Sequence, residues 1–252
     1  MQHQQWNLEM TKRKKRAGLR SKPARTTPIS MSRNSIAMDM GRRTVAPSTV
    51  VTTALFPSTK MGNSFPCEGP DELIADILLE YDQEVVWFKP QPEWITLIVG
   101  DKIVDHCPDF RCMGRDGKEY WLEIKPDNVA AQPEIQARTK AAQAYAAERG
   151  MEYRMLTGSQ MRSGNKLFNA QLICRHLRDR VTDDQKMRVL AELRKGPKSV
   201  RDLADSTGAA LGVMYAIVLH LASRHLLSFD MEKRFTVDGV VTATMPQHGE
   251  VR

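Results

Sequence analysis

The stretch Pro108-Asp109-Phe110-Arg111-Cys112-Met113-Gly114-Arg115-Asp116-Gly117-Lys118-Glu119-Tyr120-Trp121-Leu122-Glu123-Ile124-Lys125 decides how the chain is read. Two apolar-rich runs, 109–113 and 119–124, flank Arg115-Asp116-Gly117, a turn sequence, and the pattern predicts a β-hairpin. Alternate residues of a strand share a face, so Glu123 and Lys125 project together while Ile124 points the other way. With the preceding strand as hairpin partner, Asp109 reaches the same end of the sheet. Two carboxylates, with thirteen residues between them, and an ammonium then converge. Carboxylate oxygens suit a hard divalent cation such as Mg²⁺. A lysine beside that ion can orient or deprotonate a water for attack on a phosphodiester. A turn and a surface ion pair would give the same letters, so spacing alone leaves both readings open.

Working outward, Gly69-Pro70-Asp71-Glu72 reads as a helix start, with proline in the first turn and two acids facing the positive end of the dipole. The helix runs through Leu73, Ile74, Ile77, Leu78 and Tyr81. Val85–Phe88 reads as a buried strand ended by Pro90-Gln91-Pro92, and 94–99 with 102–106 as a strand pair turned at Gly100-Asp101. A helix is expected over 134–149, stopped by Gly150, then a strand at 152–156 and a helix at 167–177. Helix, antiparallel strands, helix, strand and helix make a mixed α/β layer around one sheet. From Thr182 the pattern becomes three helices, 186–194, 200–206 and 209–224, followed by strand-like 226–229 and 234–237. That order is a winged-helix arrangement.

Composition narrows the classes. Hydrophobic content of 41% and charged content of 27% suit a soluble globular chain, and no apolar run approaches the roughly 18–20 residues of a membrane span. The net charge of +7 is unevenly placed: residues 1–60 carry twelve Lys/Arg against Glu9 and Asp39, whereas residues 61–179 carry 14 basic and 19 acidic residues. The first segment reads as flexible and as an arm for the DNA backbone. A solvated tail or an organelle or nuclear address has the same composition. Four cysteines without a CxxC pair fit reduced thiols in a cytosolic protein. His106-Cys107 with Cys112 lacks the second ligand pair of a zinc finger.

Over residues 54–178 the chain resembles the TnsA endonucleases of heteromeric transposases, which have the PD-(D/E)XK, restriction-endonuclease-like fold. The resemblance runs through Phe56-Pro-Ser-Thr-Lys-Met-Gly62, Glu68-Gly-Pro-Asp-Glu72, Leu79-Glu-Tyr-Asp82, Pro90-Gln-Pro92, Cys107-Pro-Asp-Phe110, Asp116-Gly117, Leu122-Glu-Ile-Lys-Pro126 and Tyr145-Ala-Ala-Glu-Arg-Gly150. It implies a mixed sheet flanked by helices over 54–180; the element pattern and the charge outside it give a small winged-helix-like domain over 181–243, a basic arm over 1–53 and a tail over 244–252. By the same resemblance the catalytic set is Glu72, Asp109, Glu123 and Lys125. Asp109, Glu123 and Glu72 would bind Mg²⁺, with Mn²⁺ able to substitute. Gly69 stands where a serine usually follows the first glutamate, which leaves Glu68 as a rival for the helix carboxylate. Gln91 reads as a polar strand-end residue and Lys140 as part of a solvated helix face.

The implied activity is hydrolysis at the 5′ ends of a transposon in double-stranded DNA. A DDE-type transposase subunit would cut and join the 3′ ends, and an AAA+ ATPase regulator would contact the pair, in the cytoplasm of a bacterium, on its nucleoid. The helix expected over 209–224 is too apolar to read base edges, which favours protein docking for the C-terminal domain. Contact of Lys195, Lys198 and Arg201 with DNA is the second reading. A stand-alone nuclease of restriction or repair, and a non-catalytic DNA- or partner-binding subunit, are the alternatives for the whole chain.

Overall fold

A computed structural model describes residues 53–244. Residues 1–52 of the basic arm and 245–252 of the tail lie outside the described residues. The chain opens with a hairpin of β1 (Thr53–Ser58) and β2 (Asn63–Glu68), then helix α1 (Pro70–Tyr81) and β3 (Val85–Pro90). A second hairpin, β4 (Ile95–Val99) and β5 (Lys102–His106), precedes the decisive one, β6 (Phe110–Gly114) and β7 (Glu119–Lys125). Next come α2 (Asp127–Ala130), α3 (Pro133–Ala147), β8 (Glu152–Thr157), α4 (Gly158–Arg162) and α5 (Lys166–Arg175). The C-terminal part is α6 (Asp183–Leu193), β9 (Lys198–Ser199), α7 (Val200–Thr207), α8 (Leu211–Ser223), β10 (Leu227–Phe229) and β11 (Val240–Ala243).

The central sheet has the order β3-β6-β7-β8 and is mixed: β3, β6 and β7 pair antiparallel, and β8 joins β7 in parallel. Strand alternation divides β7 between two layers. Tyr120, Leu122 and Ile124 pack with Phe88, Phe110 and Leu79 of α1, while Trp121 packs with Tyr153 and with Ala142 and Ala146 of α3. Full burial of those alanines brings α3 close onto the sheet. The hairpin β4–β5 is a separate two-stranded sheet rather than an extension of the main one. It is anchored by Ile95 and Leu97 in the α3 layer.

The first hairpin, which the sequence pattern did not announce, has a cross-bracing role. Lys60 Nζ donates to the carbonyls of Leu79, Asp82 and Val85 at 2.6, 2.8 and 2.8 Å. It thereby supplies the cation that the last turn of α1 lacks. Burial lowers the Lys60 pKa to about 8, against the pull of Glu80 and Asp82.

The C-terminal helices share one apolar cluster with Tyr81 of α1 and with Ala170 and Ile173 of α5. Helix α8 is its centre, with Met214, Ile217, Val218, Leu219, Leu221 and Ala222 all buried, so most of its apolar surface is satisfied within the chain. Helix α7 starts from a capping box in which the Ser199 side chain accepts from Asp202 N–H and Asp202 reaches back. The strand expected at 234–237 is not formed; β10 pairs instead with β11, and β11 with β9. The Phe235 N–H is taken by Asn169 Oδ1 at 3.0 Å, and its ring stacks on Phe229 and Tyr215. A backbone donor committed to a side chain cannot serve a ladder. Among the described residues, no single helix is long and apolar enough to cross a membrane.

Candidate active site

The β6–β7 hairpin builds the site at its open end. Gly117 takes φ 78° in the turn, a conformation that glycine adopts without strain. The register pairs Phe110 with Leu122, so Asp109 comes to lie beside Glu123 and Ile124. Asp109 Oδ2 accepts the Ile124 N–H at 2.7 Å, a bond that pins the carboxylate across the strand end. Glu123 and Lys125 share the α3-facing side of β7. Lys125 Nζ contacts Glu123 Oε1 and stands 3.8 Å from Asp109 Oδ2, and it also donates to the Ile124 carbonyl at 3.0 Å. The lysine therefore stands between the two acids.

Further groups converge on Glu123, which is only 4% exposed. Arg138 of α3 brings Nη2 to 4.0 Å from Oε1. His106, the last residue of β5, brings Nε2 to 3.4 Å from Oε2, and the same nitrogen is 2.9 Å from the Tyr153 hydroxyl. Glu123 Oε2 is buried with no hydrogen-bond partner. Burial, and then the Glu123 charge, push Asp109 up to about 7, against the opposing effects of Lys125 and the Ile124 N–H. Glu123 moves the other way. Burial raises it, but His106 and Lys125 outweigh burial and hold it below the ordinary carboxylate range. Two carboxylates this close, one buried and one half-buried, divide into one that ionises readily and one that resists.

Glu72 occupies the first turn of α1, where its Oε2 accepts the Glu68 N–H at 2.7 Å across the Gly69 bend. Its charge acts on Asp109. Among the described residues, however, no three His, Cys, Asp or Glu side chains are gathered as a metal-holding group. The structure brings Asp109, Glu123 and Lys125 together, with Glu72 on α1 near enough for its charge to raise the Asp109 pKa. Glu68 contributes the N–H that holds Glu72. One turn along α1, Asp76 is buried with Oδ1 unbonded, and burial followed by Glu72 and Glu80 raises its pKa to about 8. Gln91 lies closer to the site than a strand-end reading suggests. Its N–H donates to the Asp109 carbonyl at 2.8 Å, its φ is 43°, and its Oε1 is buried without a partner. Lys140 is exposed. Cys112 packs on the α1 side of the sheet, in the layer opposite Tyr153 and its partner His106, and burial pushes its thiol up to about 12.

Sequence reasoning missed His106, Tyr153 and Arg138 as neighbours of the site. The available signals were weak: a histidine close before Pro108-Asp109, and an arginine one turn into the helix that follows Lys125.

The donor set suits a small hard cation. Mg²⁺ keeps much of its water shell and takes one or two carboxylates. Asp109 and Glu123 match that number, and Glu123 Oε2 is buried with no hydrogen-bond partner.

A mixed sheet flanked by helices, with its carboxylate pair and lysine at the end of the central hairpin, has the restriction-endonuclease-like architecture. Within that class, residues 82–158 match the family described as TnsA-like endonuclease N terminal. This part of the chain is similar to the TnsA-like endonuclease domain. The match covers under a third of the chain, including Asp109, Glu123 and Lys125 but not Glu72 or the C-terminal helices. No curated protein matches the chain.

Proposed function

We propose that the chain is a Mg²⁺-dependent DNA endonuclease that cuts the 5′ ends of a transposon within a heteromeric cut-and-paste transposase. The supporting observation is the Lys125 ammonium held between Asp109 and Glu123, with one Glu123 oxygen buried and unbonded. In this reading Asp109 and Glu123 hold the ion, and Glu72 is a further carboxylate available from α1. The bound ion supplies Lewis-acid stabilisation of charge on the phosphate. Asp109 is fixed by the Ile124 N–H, so it presents its second oxygen without a rotamer search. Lys125 exchanges its contact with Glu123 for the attacking water, which its ammonium orients by donating a hydrogen bond to the water oxygen. Arg138, a third exposed at the site's margin, places a fixed positive charge beside the incoming phosphate.

The remaining parts divide the other tasks. The basic residues 1–53 act as a phosphate-binding arm that offsets the acidity of the nuclease region. The C-terminal part docks an AAA+ ATPase regulator rather than DNA. Lys195 and Lys198 are both paired with Glu192, at 2.5 and 3.3 Å, and Arg201 with Asp238 at 2.9 Å, so these three cations are engaged within the chain. Met187, Val213 and Val240 are exposed there and offer apolar contacts to a partner.

The test mixes the full chain with its DDE-type transposase, Mg²⁺ and transposon-end DNA. Cleavage of the 5′ ends is expected, falling about 10³-fold or more in Asp109→Ala and in Lys125→Ala. Undiminished cleavage in both variants sinks the assignment.

A further inference from the structure

Glu123 has an unusual environment for a buried carboxylate. Its Oε1 faces two cations, Lys125 and Arg138, while its Oε2 faces the His106 ring at 3.4 Å and makes no hydrogen bond. A histidine Nε2 offers one proton or one lone pair, and here the Tyr153 hydroxyl at 2.9 Å takes it. His106 and Tyr153 are each only 6% exposed, so no bulk water competes for that bond.

The topology explains how three residues so far apart in the chain meet. Tyr153 lies on β8 opposite Trp121, two positions before Glu123 along the same face of the sheet. His106 arrives from outside the sheet, on the separate β4–β5 hairpin, whose Ile95 and Leu97 are buried against the layer that holds Trp121 and Tyr153. The ring of His106 rests against that of Tyr153 with centroids 5.9 Å apart. This hairpin therefore does more than cover one side of α3: it delivers an imidazole to the back of Glu123.

We propose that His106 and Tyr153 are a positioning pair for Glu123, resting on the nuclease reading above. Tyr153 engages the only Nε2 hydrogen bond of His106, and this keeps the imidazole from capturing Oε2. The ring still blocks rotation of the carboxylate into the α3 layer. Oε2 is thereby held in place yet unbonded, the condition required of an oxygen that must accept a cation. Groups that orient a metal ligand without touching the metal typically matter by about 10–100-fold in affinity.

The variants Tyr153→Phe, His106→Phe and His106→Gln separate the roles. Tyr153→Phe removes one oxygen and no packing volume, and it frees Nε2 to bond Oε2 directly. His106→Phe keeps a ring and removes the nitrogen. His106→Gln retains a polar end that can meet the Tyr153 hydroxyl. Mn²⁺ affinity of the full chain is measured by calorimetry, with Asp109→Ala as reference. DNA affinity in Ca²⁺, and cleavage in the transposase mixture as a function of Mn²⁺, follow.

Tyr153→Phe and His106→Phe are expected to weaken Mn²⁺ binding about 10-fold or more. DNA affinity should be unchanged, and cleavage should recover at high Mn²⁺; His106→Gln should be affected least. A packing role alone would change the unfolding temperature without moving Mn²⁺ affinity, and that outcome overturns the proposal. If Asp109→Ala abolishes Mn²⁺ binding while Tyr153→Phe and His106→Phe bind like wild type, only the positioning role fails. If the unaltered chain binds no Mn²⁺, or Asp109→Ala binds and cleaves like wild type, the nuclease site fails and the pair with it.

Discussion

Among the described residues two glutamates are buried, Glu80 at 1% exposure and Glu123 at 4%, and their surroundings are opposite. Glu80 sits on α1 and is saturated. Ser58 Oγ, Thr59 N–H and Oγ1, and Lys60 N–H donate to it at 2.5 to 2.9 Å, and His225 Nε2 lies 2.8 Å away. Glu123 has a lysine on one oxygen and no hydrogen bond on the other. A buried carboxylate with every lone pair engaged braces a fold, and one left short of partners is held ready for a ligand. Glu80 joins three segments distant in sequence: the β1–β2 turn, α1, and the His225 corner after α8, where His225 adopts φ 55°. Glu123 is surrounded by equally distant residues, yet they constrain it without satisfying it.

The sharpest way to break this contrast is to remove each carboxylate. Glu80→Ala strands the donors of Ser58, Thr59 and Lys60 in a buried site and should cost about 3–5 kcal/mol of stability, read from urea unfolding. Glu123→Ala should cost less than that, because Asp109 remains to pair with Lys125, while abolishing Mg²⁺-dependent cleavage. Equal destabilisation by both substitutions would erase the distinction.

A somewhat smaller effect is expected from acid. Burial opposes ionisation of Glu80, but the hydrogen bonds from His225, Ser58, Thr59 and Lys60 prevail and hold its pKa at about 2, against an ordinary 4.5. A depressed carboxylate contributes stability that is complete above pH 4.5 and is lost as pH falls through about 2. The displacement corresponds to about 3 kcal/mol. Stability measured between pH 5 and pH 2 should therefore decline less steeply in Glu80→Gln than in the unaltered chain, and parallel curves would contradict the assignment.

Much of this architecture was legible in local sequence because local forces set it. The β6–β7 hairpin follows from alternation around Asp116-Gly117, and the facing of Glu123 and Lys125 from the two-residue period of a strand. Helix α1 follows from Pro70, its first-turn acids and its apolar positions. Side-chain pairs across long separations were not legible. His106 meets Tyr153 47 residues away, and Glu80 meets His225 145 residues away, with no periodic pattern to signal either. Local alternation also misled at 234–237, where Asn169, 66 residues upstream, claims the Phe235 N–H and displaces the strand to Val240–Ala243. Helix α8 carried a composition suited to an interface, but the tertiary cluster it centres consumes most of that apolar surface.

The smallest expected effect tests whether the site is destabilised in the absence of its ion. Burial, and then the proximity of Glu123, raise the Asp109 pKa from 3.8 to about 7. A raised carboxylate pKa means that the folded state binds the proton more tightly than the unfolded state. Folding is therefore penalised increasingly as pH rises from about 4 to 7, and fully above that. Asp109→Asn removes the charge and keeps an oxygen able to accept the Ile124 N–H. In chelator-treated protein at pH 8 it should be more stable than the unaltered chain by on the order of 2 kcal/mol, with the gain vanishing near pH 4. Added Mg²⁺ should narrow the gap at pH 8, because the ion favours ionised Asp109 in the folded state alone. A variant no more stable than the parent at pH 8 would mean that Lys125 already neutralises the pair. The site would then resemble Glu80, a satisfied cluster with no need of a cation.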